Sequence, residues 1–253
     1  MAKQDRGPLL YRFLHAVLPP MLTALYRPWT EGLEHIPSAG PVILASNHLS
    51  FLDSVFLPAV LERPVFFLGK SEYFTGWKRY FFENVGVMPV ARQGGDAGEA
   101  SLRKGQEILE AGRMLGVYPE GTRSPDGRLY RGKTGPARLA MRTGAPVVPI
   151  AMMGTFEILP PTAKVPKVSR VGIRVGHPLD FAARYGSGDA DRFALRSATD
   201  ELMYELMMLS GQEYVDEYAA KVKSGEVVIG SGDLDELGAM LDRGDEIVVR
   251  RAG

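Results

Sequence analysis

The stretch Asn47-His48-Leu49-Ser50-Phe51-Leu52-Asp53 sets an imidazole and a carboxylate five positions apart, one residue beyond the apolar run Val42–Ala45. An imidazole partnered by a carboxylate makes a general base. The carboxylate fixes the ring tautomer and stabilises the imidazolium formed when a proton is taken. Five positions along a helix amount to a turn of about 140°, so the two side chains cannot share one helix face. They meet if His48 lies on the turn before a helix and Asp53, at its start, folds back to the ring. His-x4-Asp by itself is also a pattern that chance supplies, and a loop histidine beside a helix-start aspartate accounts for it equally well.

A second cluster, Tyr118-Pro119-Glu120-Gly121-Thr122-Arg123-Ser124, also follows an expected strand. Backbone amides near Gly121, the hydroxyls of Thr122 and Ser124, and the Arg123 guanidinium are groups that suit a phosphate. Arg92 and Lys133 can add positive charge, although either alone reads as an ordinary solvated cation. Gly127-Arg128-Leu129-Tyr130-Arg131-Gly132-Lys133-Thr134 spells a nucleotide-binding loop, but Ser124-Pro125-Asp126 intervenes where a strand should lead into Gly127. No G-x-S-x-G elbow is present, and His15, His35 and His177 form no metal-binding pair, so no metal is expected.

Elements must bring these clusters together. From Pro41 onward, β-rich runs at Val42–Ala45, Val65–Leu68, Gly86–Val90, Leu115–Tyr118, Val147–Ala151 and Val171–Val175 alternate with helical stretches. That alternation is the pattern of an α/β domain with a mixed, mostly parallel central sheet flanked by helices. Helices are expected from Asp96 to Gly112, from Gly135 or Pro136 to Arg142, and around Phe193, Leu202, Leu206 and Leu209, the last capping the fold. Pro89 would break a central strand, which puts its segment at a sheet edge or a bulge. Leu159–Lys167 and Gly186–Asp191 read as loops, and a short helix is expected near Leu234–Leu241.

Composition narrows the function classes. With 30 basic and 30 acidic residues, the chain has no net positive field for nucleic acid. Without cysteine it has no thiolate nucleophile and no disulfide. The 45% hydrophobic content fits a folded domain. Residues 1–29 contain an apolar stretch interrupted by Arg12, His15, Pro19 and Pro20, too broken to span a bilayer. An amphipathic helix pair fits it, with Arg6, Arg12 and Arg27 at lipid headgroups and Leu9, Leu10, Phe13, Leu14, Leu18, Leu22 and Leu25 in the acyl boundary. Packing of the same helices on the domain is the competing reading. The expected organisation is 1–29 as membrane-surface helices, 30–211 as the main domain and 212–253 as an extension of unknown role.

Together the clusters resemble the lysophosphatidate (1-acylglycerol-3-phosphate) acyltransferase family of glycerolipid acyltransferases. Asn47-His48-x4-Asp53, Gly86-Val87-Met88-Pro89-Val90-Ala91-Arg92, Tyr118 through Ser124, and Val147-Val148-Pro149-Ile150 look like its four motifs in order, over about residues 30 to 180. The resemblance implies acyl transfer from acyl-CoA or acyl-carrier protein, as co-substrate rather than cofactor, to the free hydroxyl of 1-acylglycerol 3-phosphate. It makes His48 the base and Asp53 its orienter, places Glu120, Gly121 and Arg123 at the glycerol phosphate with Arg92 helping, and gives Pro149 a structural role. It also implies a peripheral or monotopic protein on the cytoplasmic face of the cell membrane. The same chemistry on another lyso-lipid, a glycolipid or glycerol 3-phosphate stays open, as does a non-enzymatic lipid-binding role.

Overall fold

The computed structural model describes residues 24–70, 87–90, 97–188 and 190–227, together with Pro20, Leu22 and Ile229. Most of the expected N-terminal helix pair, Arg92, Asp96 and the helix near Leu234–Leu241 lie outside the described residues. Seven strands form the main sheet: β1 (Trp29–Glu31), β2 (Val42–Ser46), β3 (Val65–Lys70), β4 (Val87–Val90), β5 (Met114–Val117), β7 (Val147–Met153) and β8 (Gly172–Val175). Their spatial order is β1-β8-β7-β2-β5-β3-β4, parallel throughout except for the antiparallel pair β7–β8. The mixed, mostly parallel sheet expected from the sequence is therefore present.

β2 lies at the middle of the order, and all five of its residues are buried. Its alternating side chains feed two cores. Ile43 and Ala45 join one, Val42 and Leu44 the other. A strand covered on both faces needs apolar residues at every position, which is why Val42–Ala45 reads as an unbroken run. One face is covered by helices α2 (Ala97–Glu110), α3 (Gly135–Thr143), α5 (Phe181–Tyr185) and α6 (Arg192–Ser210). The other carries α1 (Asp53–Ala59) and the four-residue α4 (Thr155–Ile158). Here Leu22 departs from the membrane expectation. It is buried in the domain core with Tyr26, whose ring meets Phe56 edge-on at 5.2 Å, while Leu25 stays exposed.

The two strand prolines sit where a missing N–H can be tolerated. Pro89 is on β4, the last strand in the sheet order, so the edge expectation for that segment holds. Pro149 lies opposite the point where β8 ends. Gly176 still donates its N–H to the Pro149 carbonyl at 2.9 Å, and the chain rejoins only at the Val147–Leu179 bridge.

α6 runs between the Asp191 side chain, which accepts from the Ala194 amide, and Gly211 in the left-handed conformation at φ 69°. It buries Leu202 and Leu206 as expected, but Phe193 in its first turn points to solvent and contributes nothing to the core. Three short strands escaped the sequence reading: β1, and the separate parallel pair β6 (Leu129–Tyr130) with β9 (Tyr214–Val215). β6 also occupies the middle of the apparent nucleotide-binding loop, which settles that this segment is not one.

Gly116 on β5 lies beneath the Phe67 ring of β3, and a Cβ there would sit 2.3 Å from the ring. Gly116→Ala must displace an aromatic packed in the sheet core. We expect it to cost about 1–3 kcal/mol in chemical denaturation, the range for overpacking. An unchanged midpoint would show that the ring moves aside freely.

Candidate active site

The site forms where β2 leaves the sheet. Asn47, fully buried, extends the strand with its side chain: Oδ1 accepts from the Met152 amide at 2.7 Å and Nδ2 donates to the Met152 carbonyl at 3.0 Å. This amide clasp to β7 fixes the direction in which the next residue, His48, leaves. Nδ2 also reaches Gln212 Oε1 at 2.6 Å, and Gln212 Nε2 donates to the Gly127 carbonyl, also at 2.6 Å. Residues past 211 thus pack directly against the site.

His48 is held from both sides by the loop after β5. Its N–H donates to Glu120 Oε1 at 2.8 Å, and its carbonyl accepts from the Ser124 amide at 2.7 Å. The ring stacks on Tyr118, with centroids 3.7 Å apart and planes at 11°. Asp53, first residue of α1, does fold back: its Oδ2 lies 3.0 Å from His48 Nδ1 and also accepts from the amides of Leu49 and Ser50 at 2.7 and 2.8 Å. An ionised carboxylate can only accept, so Nδ1 is the donor, and in the neutral ring this leaves the lone pair on Nε2. Asp53 is fully buried while the His48 side chain is 16% exposed, so solvent reaches only a small part of the imidazole. Burial first, and the nearby Asp53 charge second, push the Tyr118 phenol well up, so it stays protonated beside Ser54 at 2.7 Å.

Glu120, expected at the substrate, is engaged by the protein's own backbone. It is 1% exposed, and its second oxygen accepts from the Tyr130 amide at 3.1 Å. Both oxygens face backbone N–H groups, so the carboxylate ties β6 to the His48 turn. Burial pushes it up to about 8 against the pull of those two amides. A carboxyl raised on folding binds its proton more tightly in the folded chain. Its contribution to stability is therefore complete below the ordinary value of 4.5 and is lost as pH climbs through about 8. We expect wild-type stability to fall over that window by on the order of a few kcal/mol through this group. Glu120→Gln, which cannot titrate, removes that part of the slope in denaturation curves. Identical pH slopes for the two proteins would contradict the assignment.

The remaining loop residues are arranged as a cationic turn. Gly121, at φ 73°, closes a turn by donating to the Tyr118 carbonyl at 2.9 Å. The Lys133 side chain lies over it, with Nζ 3.0 Å from where a Cβ would stand. Thr122 and Arg123 are both partly exposed on the same loop. The structure thus joins His48, Asp53 and the 118–124 loop into one hydrogen-bonded unit, with Lys133 beside it. Among the described residues, no group of three or more His, Asp or Glu gathers in a metal-binding arrangement.

Residues 28–153 match the family model described as Acyltransferase. A chloroplast 1-acyl-sn-glycerol-3-phosphate acyltransferase of Brassica napus is 37% identical over 140 residues, covering 53% of this chain and 40% of that protein. A 1-acyl-sn-glycerol-3-phosphate acyltransferase of Bacillus subtilis is 27% identical over 180 residues, covering 68% and 85% respectively. The chain thus spans less than half the length of the plant relative and most of the bacterial one. Its fold is similar to the crystal structure of the 1-acyl-sn-glycerophosphate acyltransferase from Thermotoga maritima, with a TM-score of 0.63 and 25% identity over 79% of each chain. The matched residues contain both His48 with Asp53 and the loop that clamps them, and the chain belongs to the acyltransferase family.

Proposed function

We propose that the protein transfers a fatty acyl group from an acyl thioester, acyl-CoA or acyl-carrier protein, to the free hydroxyl of 1-acylglycerol 3-phosphate, giving phosphatidate. The observation that carries this reading is the bonding of His48 to both partners at once. Its ring is paired with Asp53, and its backbone is clamped by the loop that bears Gly121, Thr122 and Arg123.

His48 Nε2 takes the proton of the acceptor hydroxyl as its oxygen attacks the thioester carbonyl. Asp53 stabilises the imidazolium that results. The tetrahedral adduct collapses with cleavage of the carbon–sulfur bond, and the imidazolium returns its proton to the departing thiolate. Atoms balance without an acyl-enzyme. The glycerol phosphate lies on the Gly121–Arg123 turn, where Arg123 and Lys133 offset its charge, and Arg92 is proposed to help. Glu120 acts at one remove, by holding His48.

The acceptor and product are lipids, so the protein works at a membrane surface, on the cytoplasmic face, with residues before the domain contributing to the contact. Among the described residues no helix is long and apolar enough to cross a bilayer. Purified protein given oleoyl-CoA and a panel of lyso-acceptors should release CoA thiol with lysophosphatidate. Release only with a neutral lyso-lipid would move the acceptor away from phosphate, and release with acyl-carrier protein alone would move the donor.

A further inference from the structure

The strongest feature left unused is a lysine that comes from outside the matched family region. Lys223 is the last residue of the short helix α7 (Ala219–Lys223), and its ammonium donates to Thr122 Oγ1 at 3.1 Å. Thr122 follows Gly121, and Lys133 Nζ lies over Gly121 from β6's side of the loop. Two ammonium groups therefore flank consecutive residues of the one turn that follows the His48 clamp.

This placement is built rather than accidental. β9 pairs with β6, and the Arg131 amide donates to the carbonyls of both Val215 and Glu217 at 3.1 Å. Ala219, fully buried, packs with Tyr130 and Val215 in a small core of its own, and the Arg131 guanidinium lies 5.6 Å from the centre of the Tyr218 ring. Tyr130 is the residue whose amide binds Glu120, and Glu120 binds His48. A short run of backbone bonds thus fixes α7 relative to the base. Within α7, Lys221 is paired with Glu217 at 3.4 Å, while Lys223 reaches the turn.

We propose that Lys223 is a phosphate-binding residue, completing with Lys133 a two-ammonium cradle across the Gly121–Thr122 turn. The proposal rests on the reading that the acceptor carries a phosphate. The Thr122 hydroxyl, accepting from Lys223, keeps its own proton to donate to a phosphate oxygen. Lysine serves here as a mobile point charge, and a dianion held between two of them gains from both. The C-terminal segment thereby enters the site as a supplier of charge.

The test is calorimetric titration of the full chain with glycerol 3-phosphate, with glycerol as the neutral control, for wild type, Lys223→Met and Lys223→Arg. Lys223 is exposed, so its replacement should leave the thermal midpoint in place. We expect Lys223→Met to weaken glycerol 3-phosphate about ten-fold, as loss of one charge-assisted contact at a solvated site does, and Lys223→Arg to recover most of it. Thr122→Val, which removes the hydroxyl but not the ammonium, should weaken it less than Lys223→Met. Wild-type affinity in Lys223→Met, or no binding to the wild type, overturns the proposal. Acylation of lysophosphatidate by the wild type is scored separately. If that fails while Lys223→Met still loses glycerol 3-phosphate, the acceptor reading falls and the phosphate site stands.

Discussion

Asp53→Asn should lower kcat by about 10²–10⁴-fold with little change in KM, the effect of spoiling the partner of a positioned histidine. The substitution separates charge from shape. In one amide orientation its oxygen takes the Oδ2 position, where it can still accept from His48 Nδ1 and from the Leu49 and Ser50 amides. The NH2 then falls at Oδ1, which is buried and has no hydrogen-bond partner. The turn would survive, but the negative charge that stabilises the imidazolium is gone. In the flipped orientation an NH2 opposes those same donors, which costs stability as well as activity. Steady-state rates with a thermal melt separate the two cases. A fall in kcat below about ten-fold would mean that Asp53 only shapes the turn.

His48→Ala should lose a similar factor, about 10²–10⁴ in kcat, while the fold persists. The imidazole is partly exposed and its removal leaves Asp53 with two backbone donors, so no buried charge is stranded. The stacking on Tyr118 is lost, a contribution of about 1 kcal/mol. Because the two residues act as one unit, the double variant should be hardly slower than either single one. Rates that multiplied instead would mean that each residue serves a separate step.

Legibility in the sequence followed the length of the signal. The apolar runs of β2 and β7 read as strands, and Leu202 with Leu206 marks α6 without coordinates. The His48–Asp53 pair was readable as a possibility because a strand end, a turn and a helix start leave that return path. β1, β6 and β9 were not, since strands of two or three residues carry no periodicity to detect. The backbone partners of Glu120 were hidden for a related reason. Nothing in its spacing says that Tyr130, ten positions on, returns to bind it. Phe193 misled because apolar type at helical spacing implies burial only when the neighbouring element reaches that turn. Gln212 and Lys223 sit in a polar stretch without a pattern, and only the pairing of β6 with β9 brings that segment to the site.

His48 is assigned the role of driving acyl transfer to a phosphate-bearing lyso-lipid. That role is tested most directly by mass spectrometry of the lipid product from lysophosphatidate and palmitoyl-CoA, with wild type beside His48→Ala. Mixed-chain phosphatidate accumulating with the wild type, and reduced at least about a hundred-fold in the variant, is the predicted result. Equal phosphatidate from both proteins would contradict the mechanism, and none from the wild type would contradict the assigned acceptor and donor together.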